Sequence, residues 1–268
     1  MRKYIIIGLF LAVNIAFAAY NPPPSTFPKI AQVPDAVANM NFGVIAAKNA
    51  GGAPAGNTIT HEADYWAQGT GTTATPGSTI TLAVGDLVVV HVTHDDASTT
   101  VTVADDADTP NTYTAVGTVS GNSNSRYNRL YYSVITTAKA GAAITATFSD
   151  LQCENCIKMG AMHFSKSGGT WASDTGNYAQ DYAAVVTSAT ATTSDAYGLL
   201  IVTGTDSGGA SKTLTVCGET PTSNVNESSD LAETAWFIAQ QTYINCTSVA
   251  TRTGDAWIET QWWAIGLQ

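Results

Sequence analysis

The stretch that decides the fold is GDLVVVHVTHDDASTTVTVADDADTPNTYTAVGTV, residues 85–119. It opens with a Gly-Asp turn, continues through an almost unbroken apolar run at 87–92, and then alternates threonine with valine at 100–103. A short apolar run between turns predicts a central strand covered on both faces, and the alternation predicts a strand with one buried face. An acidic, turn-forming loop and a further strand follow. The sequence therefore predicts an all-β chain that begins an antiparallel β-sandwich.

A fainter copy of the same series of strands recurs in the second half of the chain. The matching ranges are 198–202 with 87–92, 212–216 with 100–104, 235–239 with 129–133, 247–252 with the strand that begins at Ile144, and 257–265 with 157–165. Any all-β chain places strands every 8–12 residues, so similar successions of strands also arise without duplication. The order and spacing favour a duplicated unit of four or five strands, with halves at about 78–165 and 182–268 that close one sandwich.

The composition of the 268-residue chain is typical of exported β proteins. Charged residues make up 12% of the chain, well below the usual quarter, while the hydrophobic share of 44% is ordinary. The net charge of −10 repels phosphate backbones and offers no basic patch to anionic lipids. We therefore expect neither nucleic acid nor, once a leader is removed, a membrane as partner.

The N-terminus predicts a signal peptide at residues 1–18. A positive start, MRK, precedes a short apolar core at 5–17, and Ala16 and Ala18 are the small residues that a signal peptidase requires. An N-terminal membrane anchor is the alternative, although the apolar run is short for a span. We expect a secreted, extracellular protein with a Pro/Gly/Ala-rich segment at 19–77, early strands near 42–46 and 58–66, and the sandwich at 78–268.

The succession GDLVVV, TVTVADDADTPNTYTAVGTV, RLYYSVI, GAAITATFSD and IKMGAMHFS resembles a jelly-roll-like β-sandwich module of bacterial extracellular and phage-encoded surface proteins. The resemblance covers about residues 78–268. It implies a fold and an exported or particle-surface setting, and it includes no catalytic motif. The loop at 105–111 is longer and more acidic than the short turn expected there.

Four cysteines follow the predicted leader: Cys153, Cys156, Cys217 and Cys246. An even number in an oxidising compartment predicts two disulfides, for which three pairings are open. We favour a local Cys153–Cys156 bond and a longer Cys217–Cys246 bond. A redox motif would normally open a helix, and a zinc site would need a second close pair, so these are the alternatives for CENC.

The acidic loop concentrates oxygen ligands, namely Asp105, Asp106, Asp108 and Asn111. Ca²⁺ takes six to eight oxygens, so the loop is a candidate calcium site, with an ordinary acidic turn as the alternative. No other cofactor is expected. His91 and His94 are three apart on a predicted strand, so their side chains should point to opposite faces and cannot jointly bind a metal.

The last predicted strand holds the candidate ligand-binding residues. The period of two places Trp257, Glu259, Gln261 and Trp263 on one face. An open face of this kind suits stacking of sugar rings on indoles, with hydrogen bonds to the polar groups between them. The alternative is that this row of side chains belongs to the core.

No nucleophile elbow, zinc-protease motif or phosphate-binding loop occurs in the sequence. The predicted function is therefore non-catalytic: surface or ligand binding, with recognition of a polysaccharide or another cell-surface ligand as its most concrete form. One alternative is a self-associating structural subunit of an extracellular filament, coat or virion, for which a Pro-rich arm suits strand exchange. A second alternative is a secreted hydrolase acting on polysaccharide.

Overall fold

The computed structural model describes residues 57–268, apart from 97, 122–126, 196, 207–211, 222 and 227–231. The side chains at 70, 117–121, 153–156, 206, 223–226, 232–233 and 255–257 also lie outside the described part of the chain. The described residues form antiparallel sheets and no helix, which confirms the all-β prediction. The predicted leader, its cleavage site and the early strand near 42–46 lie outside the described residues.

The first sheet has six strands. They are β1 (Ile59–Ala74), β3 (Leu87–His94), β4 (Val101–Asp105), β5 (Thr114–Gly121), β6 (Tyr127–Val134) and β8 (Ile144–Lys166). Their order is β1-β8-β3-β6-β5, and β4 pairs with the first part of β8. Two short strands, β2 (Ile80–Leu82) and β7 (Lys139–Ala142), form a separate two-stranded sheet.

The second sheet repeats this arrangement strand for strand. It contains β9 (Trp171–Thr187), β10 (Gly198–Asp206), β11 (Lys212–Val216), β12 (Ser223–Asn226), β13 (Ala232–Ala239) and β14 (Ser248–Leu267). The order is β9-β14-β10-β13-β12, and β11 pairs with the first part of β14. Two strand units of the same topology are therefore present, each with six strands, and they begin at β1 and β9. Their origin by duplication stays a prediction.

The two six-stranded sheets face each other across an inter-sheet layer. Its apolar part joins side chains of both sheets in one cluster, including Leu87, Val89 and Phe164 from the first and Ile201 and Trp263 from the second. The opposite face of each sheet is covered too, by a separate apolar cluster. All eight residues of β3 are buried as a result, as the apolar run at 87–92 predicts.

Two segments whose composition is typical of loops form strands. Residues 165–181 contain three glycines, yet β9 begins at Trp171 because its backbone pairs with β14 along most of its length. The polar CENC segment is typical of a loop as well, yet β8 continues through it for a total of 23 residues. Neither segment alternates clearly between apolar and polar residues, so periodicity could not find them.

The Cys217–Cys246 disulfide is present as predicted. Cys217 and Gly218 both have positive φ and form a two-residue turn, in which Val216 and Glu219 exchange two backbone hydrogen bonds. Such turns suit the twist of a hairpin. The side chains of Cys153 and Cys156 lie outside the described part of the chain.

Among the described residues, no helix is long and apolar enough to cross a membrane.

Candidate functional site

The candidate site is the edge strand β9. This strand has 17 residues and pairs with β14 on one side, and no other described strand pairs with it. An edge strand presents a row of unpaired N–H and C=O groups, to which another extended chain can add. Gly176 permits the close approach of β9 to β14, because a Cβ there would lie 2.3 Å from the carbonyl oxygen of Trp262.

The exposed side chains of β9 are unusually apolar for an edge. Tyr178, Tyr182 and Val185 are 40%, 57% and 52% exposed, and they are half of the six large apolar side chains that are exposed among the described residues. The strand contains no lysine, arginine or proline, and its only charges are Asp174 and Asp181. Natural edges are usually blunted by lysine, by proline or by being short. This edge therefore has the character of a contact surface.

The equivalent strand of the first unit, β1, provides an internal comparison. It is almost as long, with 16 residues, but none of its large apolar side chains is exposed. Charged groups lie along it, including Glu62, which accepts a hydrogen bond from Ser165, and His61, which pairs with Asp64 at 2.7 Å. The apolar edge is thus a property of the second unit and does not follow from the shared fold.

A groove opens beside β9, between this strand and β5. It has a volume of about 420 Å³ and is lined by Thr114, Ala115, Val116, Tyr132, Ser173, Asp174, Gly176, Asn177, Tyr178, Gln261, Trp262 and Trp263. The rings of Tyr132 and Trp263 meet across the two sheets with centroids 4.8 Å apart. The indole Nε1 of Trp263 donates to Ser173 Oγ at 3.1 Å, which ties the ring to β9.

The predicted ligand-binding row does not form an open face. Glu259, Gln261 and Trp263 share one face of β14, as the period of two predicts, but all three are buried in the inter-sheet layer. The expectation of an exposed stacking surface is therefore wrong for them. The sequence could not reveal this, because a strand covered by a second sheet has the same pattern as one facing solvent. The backbone of Trp257 lies opposite Tyr182, and its side chain is outside the description.

The part of the inter-sheet layer next to the apolar cluster is polar. His91 Nδ1 and Thr234 Oγ1 are 2.7 Å apart, and Asn128 Nδ2 donates to Thr203 Oγ1 at 3.1 Å, so both of these hydrogen bonds join the sheets. Glu259 is fully buried beside them, and burial raises its pKa well above the ordinary value while Asn128 opposes the rise. Buried polar groups with partners fix one arrangement of a core. This polar layer holds the two sheets in register.

The two strand histidines lie in different layers, as their spacing predicts. His91 faces the second sheet, while His94 stacks on Tyr127 with ring centroids 5.3 Å apart and packs edge-on against Phe148 on the other face. Burial lowers the pKa of both imidazoles, that of His91 to about 4. Buried, neutral imidazoles in separate layers serve packing.

Two of the four predicted calcium ligands, Asp105 and Asn111, make hydrogen bonds that stabilise the acidic loop. Asp105 is buried and accepts hydrogen bonds from Asn111 Nδ2 at 2.9 Å, from the backbone N–H of Ala107 at 3.1 Å and from Tyr113 Oη at 3.3 Å. Asn111 Oδ1 accepts from two further backbone N–H groups.

The other two ligands face solvent. Asp106 accepts a hydrogen bond from the N–H of Ala143 and pairs with Lys139 at 3.2 Å, whereas Asp108 is exposed. Among the described residues, no three histidine, cysteine or acidic side chains are grouped to hold a metal ion. Calcium binding by this loop stays a prediction.

Comparisons with known proteins place this chain in no family. No protein family matches the sequence, and no curated protein matches it. Among solved structures, the chain is similar to the major capsid protein P2 of bacteriophage PM2, with a TM-score of 0.28 and 9% identity over 79% of this chain and 98% of that chain. A similarity of this size carries no argument about function, so the proposal below rests on the geometry of β9.

Proposed function

We propose that this protein is a structural subunit that associates with copies of itself in an extracellular filament, coat or virion. The observation that carries the proposal is the edge of β9, which is long, unpaired among the described strands and apolar where it is exposed. Addition of a strand to such an edge satisfies backbone groups and buries apolar side chains in one step.

Two further features support this function. The Cys217–Cys246 disulfide is typical of proteins that reach an oxidising compartment. Both faces of each sheet are already covered, so the sandwich is a self-contained block whose edges are left for contacts. Rigid blocks with specific edges are what a repeating assembly requires.

The test is the mass of the full chain in solution, measured by light scattering after size-exclusion chromatography over a range of concentrations. We expect the average mass to rise from that of a monomer to at least that of a dimer as the concentration increases. The double variant Tyr182→Lys with Val185→Lys should remain monomeric, because two ammonium groups at the edge would have to be desolvated on pairing. Thr60→Lys, at an exposed position of β1, is the matched control and should assemble like the wild type.

Circular dichroism and the thermal midpoint of the variants establish that all three chains are folded. A wild-type chain that remains a monodisperse monomer at the highest concentration reached would contradict the proposal. So would assembly by the β9 double variant that equals that of the wild type.

Ligand recognition is the second candidate, and the groove beside β9 favours it. Its volume lies within the usual range of small-molecule sites, and a tyrosine, an indole edge and polar groups line it. Gln261 Oε1 is buried in its wall and accepts no hydrogen bond from the described residues. Binding to a panel of polysaccharides, compared between the wild type and Tyr132→Ala, tests this candidate, and equal binding would exclude the groove. The hydrolase alternative stays a prediction.

A further inference from the structure

We propose that the strand added to β9 is the β9 strand of a second copy, which pairs antiparallel about a two-fold axis centred on Gln180. The inference rests on the proposed function and names the partner element and its register. A two-fold contact of this kind uses the same patch on both subunits, so the patch must be complementary to itself. The sequence and the exposure of β9 meet that condition.

The exposed part of β9 is symmetric about Gln180. Tyr178, Gln180 and Tyr182 lie opposite alternate residues of β14, so their side chains share one face of the sheet, and all three are exposed. When Gln180 faces the second copy's Gln180, each Tyr178 faces a Tyr182 of the other copy. Cross-strand aromatic pairs stabilise antiparallel sheets. One register therefore pairs all four tyrosines.

The acidic residues of β9 disfavour two of the competing arrangements. In the register centred on Gln180, Asp181 faces the second copy's Ala179, and Asp174 faces Val186. A register centred on Asp181 would place two carboxylates directly opposite each other, which is destabilising. Parallel pairing in register would oppose both acids with their own copies and is disfavoured for the same reason.

The closest competitor is the register centred on Tyr178. It would place each Tyr182 opposite an Asp174 that already accepts hydrogen bonds from Ser194. That arrangement places no aromatic residue of the second copy opposite Tyr182. The register centred on Gln180 keeps the acids apart and pairs every tyrosine, so it is the one that the side chains favour.

Cysteine crosslinking of the full chain tests the register. In antiparallel pairs the Cα atoms of facing residues are about 4.5–5.5 Å apart, which is within the range that a disulfide spans. Gln180→Cys should therefore give a disulfide-linked dimer on mild oxidation. Asp181→Cys is the matched control on the adjacent residue, because its two copies would lie about 8 Å apart, beyond disulfide reach.

A second pair of variants tests the same register while Gln180, the residue at the two-fold axis, is left unchanged. Tyr178→Cys and Tyr182→Cys should each form little dimer alone but should crosslink when the two chains are mixed. Non-reducing gels compare every variant with the parent chain, which carries the four native cysteines. Light scattering records the assembly state of each sample before oxidation.

The outcomes separate this inference from the proposed function. Assembly with crosslinking at position 180 and background levels at 181 supports both. Assembly with no more dimer for Gln180→Cys than for Asp181→Cys overturns the register and leaves the structural function standing. A parent chain that is monomeric at every concentration overturns both.

Discussion

Replacement of His91 by asparagine should remove a large acid-dependent loss of stability. His91 is buried in the polar part of the inter-sheet layer, where its Nδ1 lies 2.7 Å from Thr234 Oγ1. Asparagine places a polar atom near the position of Nδ1 and does not titrate. The wild type and His91→Asn therefore differ mainly in whether a buried group must take up a proton as the pH falls.

The magnitude follows from the pKa of His91. Burial lowers it from 6.5 to about 4, the charge of Lys212 acts in the same direction, and Asn128 opposes them. Between these two pH values the unfolded chain binds the proton and the folded chain does not, so the free energy of unfolding falls as the pH falls. At 1.36 kcal/mol per pH unit, the imidazole accounts for about 3 kcal/mol of stability that is present above pH 6.5 and lost near pH 4.

Urea unfolding of both chains at pH 7, 5.5 and 4.5 measures the effect. Carboxylates such as Glu259 titrate in both proteins, so the difference between the two curves isolates His91. The wild type should lose roughly 2–3 kcal/mol more than His91→Asn over this interval. Parallel dependences on pH would refute the reasoning, because they would mean that the imidazole is solvated or already charged in the folded state.

Two further changes test other parts of the fold. Replacing both Cys217 and Cys246 by serine opens a loop of 29 residues and should lower the free energy of unfolding by about 3.5 kcal/mol, measured in urea against the oxidised wild type. Asp105→Asn weakens the buried bonds to Asn111 and should cost about 2 kcal/mol, whereas the exposed Asp108→Asn should cost almost nothing. Thermal unfolding of the wild type with added Ca²⁺ and with a chelator checks the calcium prediction, since a bound ion would raise the midpoint.

The fold class and the two strand units could be predicted from the sequence, because the runs and the alternation of apolar residues indicate where strands lie. The run at 87–92 and its copy at 198–202 become central strands with covered faces, and a sandwich requires such strands. The even number of cysteines predicts disulfides, and the bond between Cys217 and Cys246 belongs to the favoured one of the three possible pairings. The fold class and the strand units depend on the period of the side chains, which can be read without knowing the partner strands.

The candidate site could not be predicted in the same way. β9 contains three exposed apolar residues among small and polar ones, and Gly176, together with Gly168 and Gly169 just before the strand, is typical of a loop. The strand exists because β14 supplies hydrogen bonds to its backbone, and backbone pairing leaves no mark in the sequence. The prediction that the side chains of Glu259, Gln261 and Trp263 form an open face was wrong for the converse reason. Its pattern is visible, but a second sheet lies on the face that was expected to be open.

The paired six-strand units have a consequence for the stability of either unit alone. A chain consisting of one unit alone would expose the inner face of its sheet, with Leu87, Val89, Leu130 and Phe164 open to water. Such a half-length chain would be stable only as two associated copies, because so much apolar surface would otherwise face water. Two units in one chain make this contact internal and independent of concentration. Among the described residues, only the second unit carries exposed large apolar side chains on its edge strand.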